Sequence, residues 1–273
     1  MDEPRTLFGV VAGNGAYPPT LIRAARRQSP GIRIVGVGFQ GETREEVEEL
    51  CDAFRWFRVG QLVKPIRFMQ EHGVKEAVMV GQIDPSNLFN LRPDLRTLVL
   101  LAKLKRRNAE TIFGMVADES EREGIHILDS TTYMKDHLPA PGHIAGPKPD
   151  ERQIDDARYG IGIAKEVSRL DIGQSVIVRH GTVLAVEGYE GTNECIKRGG
   201  MLGRGKHVTL AKVSKPNHDM RFDVPCVGAS TIETCAAAGI EQIVVEAHKT
   251  VVLEEERVRE LCRRHKIALH ALS

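Results

Sequence analysis

The chain has 273 residues, 41% of them hydrophobic and 27% charged, and a net charge of +1. The length suits two domains of ordinary size, and the composition excludes a disordered chain. The balanced charge excludes a nucleic-acid binder that works by bulk electrostatics, but leaves room for a local cluster that holds a small anion.

The first half alternates in the α/β manner. Leu7–Ala12 is a short apolar run that reads as a buried strand, followed by the turn residues GNGAYPP and a helix over LIRAARRQ. A second strand covers Ile32–Gly38, and TREEVEEL follows as a helix with Thr43 at its N-cap and Glu46 three residues on. A third strand spans Phe54–Val59, a helix covers LVKPIRFMQEHG, and a fourth strand spans Ala77–Gly81. This order predicts a Rossmann-like, doubly wound parallel sheet. Helices are expected at Leu95–Arg107 and Ala109–Glu123, then a strand at Ile125–Leu128.

Residues 138–150 hold four prolines and two glycines in 13 residues, which argues against any regular element there. The expected division is therefore a first domain over 1–138, a linker over 139–150 and a second, smaller α/β or α+β catalytic domain over 151–273. That second domain opens with a helix over Glu151–Arg169 and a hairpin turning at His180-Gly181. A helix after Glu190, a strand at Val208–Val213, a helix near Ile232–Ala238 and a βαβ-like tail complete it.

Several classes are disfavoured. No run of about 18 apolar residues offers a membrane span. The N-terminus lacks the basic start and long apolar core of a secretory signal. The five cysteines are odd in number and show no C-x-x-C spacing, so reduced thiols in a cytoplasmic protein are expected. There is no G-x-S-x-G and no H-x-x-x-H.

Three segments carry chemistry. Gly13-Asn14-Gly15 leaves strand one and enters helix one, where backbone N–H groups and the helix dipole favour a phosphate. The alternative is a tight turn without ligand, and the third glycine of a dinucleotide fingerprint is replaced by Pro18. No carboxylate follows strand two, which also disfavours a dinucleotide-dependent oxidoreductase. The second segment is Glu187-Gly188-Tyr189-Glu190-Gly191-Thr192-Asn193. Its acids suit a hard cation, and Thr192 suits an ordinary N-cap. Lys197, Arg198 and Arg204 follow and suit a diphosphate. The third segment is Asp219-Met220-Arg221-Phe222-Asp223-Val224-Pro225. Read as an extended stretch, it places Asp219, Arg221 and Asp223 on one face, either two carboxylates for Mg²⁺ or a water and a guanidinium for phosphate, or an exposed, salt-bridged edge strand.

Taken together, the motifs at Gly9–Pro18, Asp171–Val178, Val183–Thr192 and Asp219–Gly228, with Thr231 just beyond, resemble the LpxI-type UDP-2,3-diacylglucosamine diphosphatases over essentially the whole chain. The resemblance implies hydrolysis of UDP-2,3-diacylglucosamine to UMP and 2,3-diacylglucosamine 1-phosphate (lipid X), assisted by Mg²⁺ or another divalent cation such as Mn²⁺. It implies a lipid-linked UDP-sugar held between two domains, and transient contact with the cytoplasmic face of a Gram-negative inner membrane during lipid A assembly. It implies no nucleic acid, and a homodimer is compatible with it. Carried over by motif, Asp219, Arg221 and Asp223 are catalytic, and Asp219, Asp223 and Glu190 face the metal. Gly13, Asn14, Gly15, Glu190, Gly191, Thr192, Asn193, Arg198 and Thr231 bind substrate. The chain departs from the family at Asn193, where E-G-T-D is usual, and at Asn108-Ala109-Glu110, where D-D-A is usual. A non-catalytic or altered-specificity relative that binds a nucleotide sugar or lipid is the competing reading. The helix through Leu98, Leu100, Leu101 and Leu104 is expected either to wall an acyl groove, with Lys103, Lys105, Arg106 and Arg107 on head groups, or to pack in the first core.

Overall fold

The computed structural model describes residues 6–83, 95–104, 109–216, 219–222 and 224–273, without the side chains of residues 95, 109 and 110. The chain divides into two compact units. Unit 1 takes in the described residues up to Met134 together with Asp219–Phe222, and unit 2 takes in Lys135 to Pro216 and Val224–Ser273.

Unit 1 is built from β1 (Leu7–Ala12), α1 (Tyr17–Gln28), β2 (Arg33–Phe39), α2 (Glu46–Glu49), β3 (Ala53–Phe57), α3 (Val63–Glu71), β4 (Glu76–Val80), α4 (Leu95–Lys103), α5 (Ala109–Arg122) and β5 (His126–Ile127). Its five strands are all parallel in the order β3-β2-β1-β4-β5. The order reverses at β1/β4, the switch point where doubly wound sheets bind ligands beyond the carboxyl ends of their strands. Helix α1 buries Leu21, Ile22, Ala24 and Ala25 and leaves Arg23 and Arg26 outside, the spacing of one apolar stripe. Thr43 does not cap α2, a single turn whose cap residue is Glu45. Its hydroxyl donates to the Ala12 carbonyl and accepts the Phe39 N–H, so the side chain is spent on the sheet instead.

Unit 2 is built from a 3₁₀ turn (Lys135–His137), β6 (Gly142–Ala145), α6 (Glu151–Arg169), β7 (Ser175–Arg179), β8 (Thr182–Val186), α7 (Gly191–Leu202), β9 (Val208–Lys212), β10 (Cys226–Val227), α8 (Ala229–Ala238), β11 (Ile240–Glu246), β12 (Val251–Val252), α9 (Glu255–His265) and β13 (Ala268–Leu272). Its main sheet is mixed, ordered β6-β13-β11-β9-β7-β8. Strands β9, β11 and β13 run parallel, while β6 and β7 run antiparallel to their neighbours. Asp150 and Gln153 close a capping box at the start of α6. The buried Asp156 of that helix accepts the N–H groups of His180 and Gly181, fixing the β7–β8 hairpin at the expected turn.

Two sequence expectations differ from the structure. Residues 138–150 were expected to hold no regular element, yet Gly142–Ala145 forms β6 on the edge of the second sheet. The prolines fall outside those four residues, and an edge strand leaves one side without ladder bonds to lose. The Asp219–Phe222 segment was expected in the second domain and as an extended strand. It packs within unit 1, and it is a turn: Asp219 Oδ1 accepts the Arg221 N–H at 3.1 Å and the Phe222 N–H donates to the Asp219 carbonyl at 3.3 Å. An aspartate closing a turn on the N–H two residues on outweighs a polar/apolar alternation only a few residues long. Phe222 anchors the turn: it is buried in the unit 1 core, with its ring centroid 6.0 Å from that of Phe113. Burying such a ring stabilises by roughly 1.5–3 kcal/mol.

On α4, Leu101 is buried and Leu100 packs against the unit 1 core, whereas Leu98 and Val99 are exposed. The neighbouring Lys105, Arg106 and Arg107 lie outside the described residues. Among the described residues no helix is long and apolar enough to cross a membrane.

Candidate active site

In unit 1 the site forms around the switch point. Gly13 donates its N–H to the Val80 carbonyl, and Asn14 pairs with Gln82 in a short antiparallel bridge. A Cβ on Gly13 would run into the Gln82 carbonyl oxygen, so this glycine is required by backbone meeting backbone. Gly15 differs: its φ is +93° and nothing lies within 4 Å of where a Cβ would be. Its N–H is bonded to Asn14 Oδ1 at 2.6 Å. The turn then runs into α1, whose N-cap, Ala16, supplies no side-chain bond.

Buried Ser130 ties this edge to the acid–arginine turn. Its N–H donates to the Met220 carbonyl at 2.7 Å, its Oγ donates to the Met79 carbonyl at 3.1 Å, and its own carbonyl accepts the Tyr17 hydroxyl at 3.1 Å. One residue just past β5 thus holds the end of β4, the start of α1 and the turn carrying Asp219 and Arg221. Sequence reasoning missed Ser130, since nothing in a D-S-T-T string marks it as a junction.

Arg221 meets Asp219 through a fork. Nη2 lies 2.7 Å from Oδ2, and Nε lies 3.0 and 3.1 Å from the two carboxylate oxygens. Asp118 adds a longer contact, 3.7 Å from Nη1. The Asp219 hydrogen bonds, then the surrounding carboxylates, push the guanidinium pKa above its ordinary value. Asp223, expected beside them, lies outside the described residues, as does Asn108.

In unit 2 the candidates gather where β8 and β9 end and β7 begins. Glu190 is the cap residue of α7; its Oε1 meets Arg198 and its Oε2 accepts the Gly188 N–H at 3.2 Å. Hydrogen bonds from its own backbone N–H and from Arg198 hold its carboxyl below the usual range. Arg198, expected at a diphosphate, also donates to the Val186 carbonyl at 2.8 Å and so braces the loop before α7. Thr192 was expected to be either a cap or a ligand contact. It sits in the first turn of α7 and gives its hydroxyl proton to Glu187 at 2.7 Å, while Lys212 Nζ approaches it at 3.3 Å. Asn193 is exposed on the same turn, and Gly191 opens the helix at φ +80°. Thr231 occupies the first turn of α8, half-buried, its N–H on the Gly228 carbonyl at 3.0 Å. Lys212 was missed by sequence; its one signal is a lysine closing the apolar run V-T-L-A-K-V.

Among the described residues, no three His, Cys, Asp or Glu side chains come together as a metal site. Both oxygens of Asp219 face Arg221, and both oxygens of Glu190 are engaged. The described residues therefore do not assemble a cage for Mg²⁺. Burial pushes the Cys51 and Cys195 thiols up to about 12, which disfavours their thiolates.

Two family models match the chain end to end, the LpxI N-terminal domain over residues 7–137 and the LpxI C-terminal domain over residues 140–270. A curated relative from Caulobacter vibrioides, the UDP-2,3-diacylglucosamine pyrophosphatase LpxI, is 29% identical over 261 residues, covering 92% of each chain. Among solved structures, a biotin carboxylase domain of a thermophilic 2-oxoglutarate carboxylase overlaps at TM-score 0.26 and 15% identity, over 63% of this chain and 34% of that one. The biotin carboxylase subunit of a pyruvate carboxylase overlaps at TM-score 0.26 and 15% identity, over 67% and 38%. Overlaps that loose say nothing about ligand or reaction.

Proposed function

The chain belongs to the LpxI family, and we propose that it hydrolyses the diphosphate of UDP-2,3-diacylglucosamine to UMP and 2,3-diacylglucosamine 1-phosphate. The observation that carries this reading is the match to both domain models, in order and over nearly all of the chain. The geometry of unit 1 supports the reaction class. A glycine turn runs into the start of α1 at the switch point, and Ser130 ties the end of β4 and the start of α1 to the turn that carries Arg221, groups of the kind that receive a phosphate oxyanion.

Each residue then has a role. Arg221 contacts the diphosphate and offsets charge that builds on its oxygens as the bridging bond breaks. Asp219 is a positioning residue, because both its oxygens hold the guanidinium in one orientation. Asp223, assigned on sequence, aims the attacking water. Mg²⁺, when bound, would supply further charge neutralisation at the phosphates; no step here is routed through it, since the described donors do not form its site. Substrate at a lipid surface requires transient membrane contact, for which exposed Leu98 and Val99 are candidates.

The test is to incubate purified protein with UDP-2,3-diacylglucosamine, with Mg²⁺ or with excess chelator, and resolve the uridine products by chromatography. UMP in the Mg²⁺ arm supports the reading, and its loss with chelator supports the cation. No uridine product in either arm favours the non-catalytic relative, for which Asn193 in place of the usual acid is the supporting feature.

A further inference from the structure

One stretch of chain leaves unit 2 after β9, contributes Asp219–Phe222 to unit 1 and returns to unit 2 at Val224. It carries Asp219, Arg221 and Asp223. Both of its feet are held by one short piece of unit 2, the end of β11 and the turn into β12. The first foot is Ser214, just past β9, whose N–H donates to Glu246 Oε2 at 3.0 Å. Glu246 is the last residue of β11 and is 4% exposed. A buried carboxylate is costly unless it is paired. Here its other oxygen, Oε1, receives Lys249 Nζ at 2.9 Å and Lys165 Nζ at 3.5 Å. Burial by itself would raise the carboxyl pKa. The hydrogen bonds from Lys249 and Ser214 and the two ammonium charges outweigh it and hold the group below its usual range. The next residue of this foot, Lys215, is tied through Nζ to Asp171 at 3.0 Å.

The second foot is Pro225–Val227, which begins two residues after Asp223 in sequence. Past Glu246 the chain turns, with the Thr250 N–H on the Glu246 carbonyl at 3.2 Å. Val251 then donates its N–H to the Pro225 carbonyl at 2.9 Å, and Leu253 donates to the Val227 carbonyl at 2.9 Å. Cys226 and Val227 thereby pair with Val251 and Val252, as β10 on β12. These are backbone bonds that most side chains would permit. The first foot differs, because its bond depends on one side chain. The buried hydroxyls nearby, Ser214 Oγ and Thr250 Oγ1, have no hydrogen-bond partner among the described residues, so neither shares the task.

We propose that Glu246 is a positioning residue of the reaction: its carboxylate, held by Lys249 and Lys165, fixes Ser214 at the start of the segment that carries Arg221 and Asp223, while the turn that follows it fixes the segment's end. This rests on the diphosphatase reading above. Glu246 touches no reacting atom in this account. It removes slack from the chain that bears the groups which do, and a displacement of about 1 Å at such groups is enough to slow a reaction strongly.

The test uses the full chain, with kcat and KM for UDP-2,3-diacylglucosamine and amide hydrogen exchange read by mass spectrometry. Glu246→Leu removes the acceptor and keeps an apolar side chain of similar reach; Lys165 and Lys249 are partly exposed and can turn to water. In this variant kcat should fall about tenfold or more, with KM held within about threefold. Glu246→Gln keeps an oxygen for the Ser214 N–H and should recover most of the loss. Exchange should quicken over residues 214–222 and stay unchanged over β13. Melting temperatures confirm that each variant is folded. Should Glu246→Leu fail to fold, the Lys165→Met, Lys249→Met pair decides, since it frees Oε1 and should lower kcat about threefold or more at constant KM. The proposal is overturned if a folded Glu246→Leu turns over as wild type does, if Glu246→Gln recovers nothing, or if exchange quickens throughout unit 2, the mark of a merely structural role. Failure of wild type to release UMP would sink the reaction reading, and the exchange pattern would then decide the clasp by itself.

Discussion

The backbone N–H of Ser130 donates to the Met220 carbonyl at 2.7 Å, so a residue just past β5 carries the turn that presents Arg221. The same serine spends its hydroxyl on Met79 at the end of β4. Ser130→Ala keeps the first bond and orphans the Met79 carbonyl. Removing one partner of a buried bond costs about 1–3 kcal/mol. The expected outcome is an unfolding free energy lowered by that amount, together with a fall in kcat/KM. A variant with unchanged kcat/KM would show that Ser130 supports the fold alone.

Arg221 grips Asp219 with two nitrogens, a geometry that lysine cannot copy. Arg221→Lys keeps the charge and loses the fork, and kcat/KM should fall about 10- to 100-fold, the size of a misplaced contact at the reacting group. Asp219→Asn, which keeps an acceptor, should fall less. If Asp219→Asn costs more than Arg221→Lys, Asp219 acts on the substrate directly and not through the arginine.

Asp223→Ala should lower kcat by more than about 10²-fold with the melting temperature unchanged, as for a group that acts mainly in the transition state. Rates near wild type would return Asp223 to a surface role.

The glycines of the switch point separate by the same logic. Gly13→Ala forces a Cβ onto the Gln82 carbonyl, whereas Gly15→Ala meets open space at φ +93°. Gly15→Ala should cost about 1 kcal/mol of backbone strain. Gly13→Ala should cost more, because the β1 and β4 loops must part. Equal thermal midpoints for the two variants would contradict this.

His270 on β13 is 4% exposed, with neither ring nitrogen hydrogen-bonded, and lies opposite His143 of β6. Burial first, then the His143 charge, lowers its pKa from 6.5 to about 4. The folded chain therefore binds fewer protons than the unfolded chain between those values. The stability from neutral His270 is fully present above pH 6.5, drains away as pH falls, and is gone below about 4. A loss of about 2 kcal/mol is expected between pH 7 and pH 5. His270→Leu should flatten this slope in urea denaturation; an unchanged slope would assign it to other groups.

Much of unit 1 was legible because buried parallel strands are continuous apolar runs, and Leu7–Ala12 and Glu76–Val80 fall almost where the pattern puts them. Less legible was anything decided by a side chain bonding the backbone. Asp219 bends its segment into a turn, and Thr43 leaves a helix cap for the sheet. Both are one-residue choices that periodicity does not register. The candidate residues were legible as motifs, but the groups bonded to their segments, Ser130 and Lys212, belong to no motif. Their roles come from strands brought together across long stretches of sequence.

The most direct measurement is mass spectrometry of both products from UDP-2,3-diacylglucosamine over a time course with purified protein. The account predicts UMP and 2,3-diacylglucosamine 1-phosphate appearing in equal amounts as substrate is consumed, and Arg221→Lys slowing both together. Release of UDP with free diacylglucosamine, or intact substrate throughout, would contradict cleavage of the diphosphate.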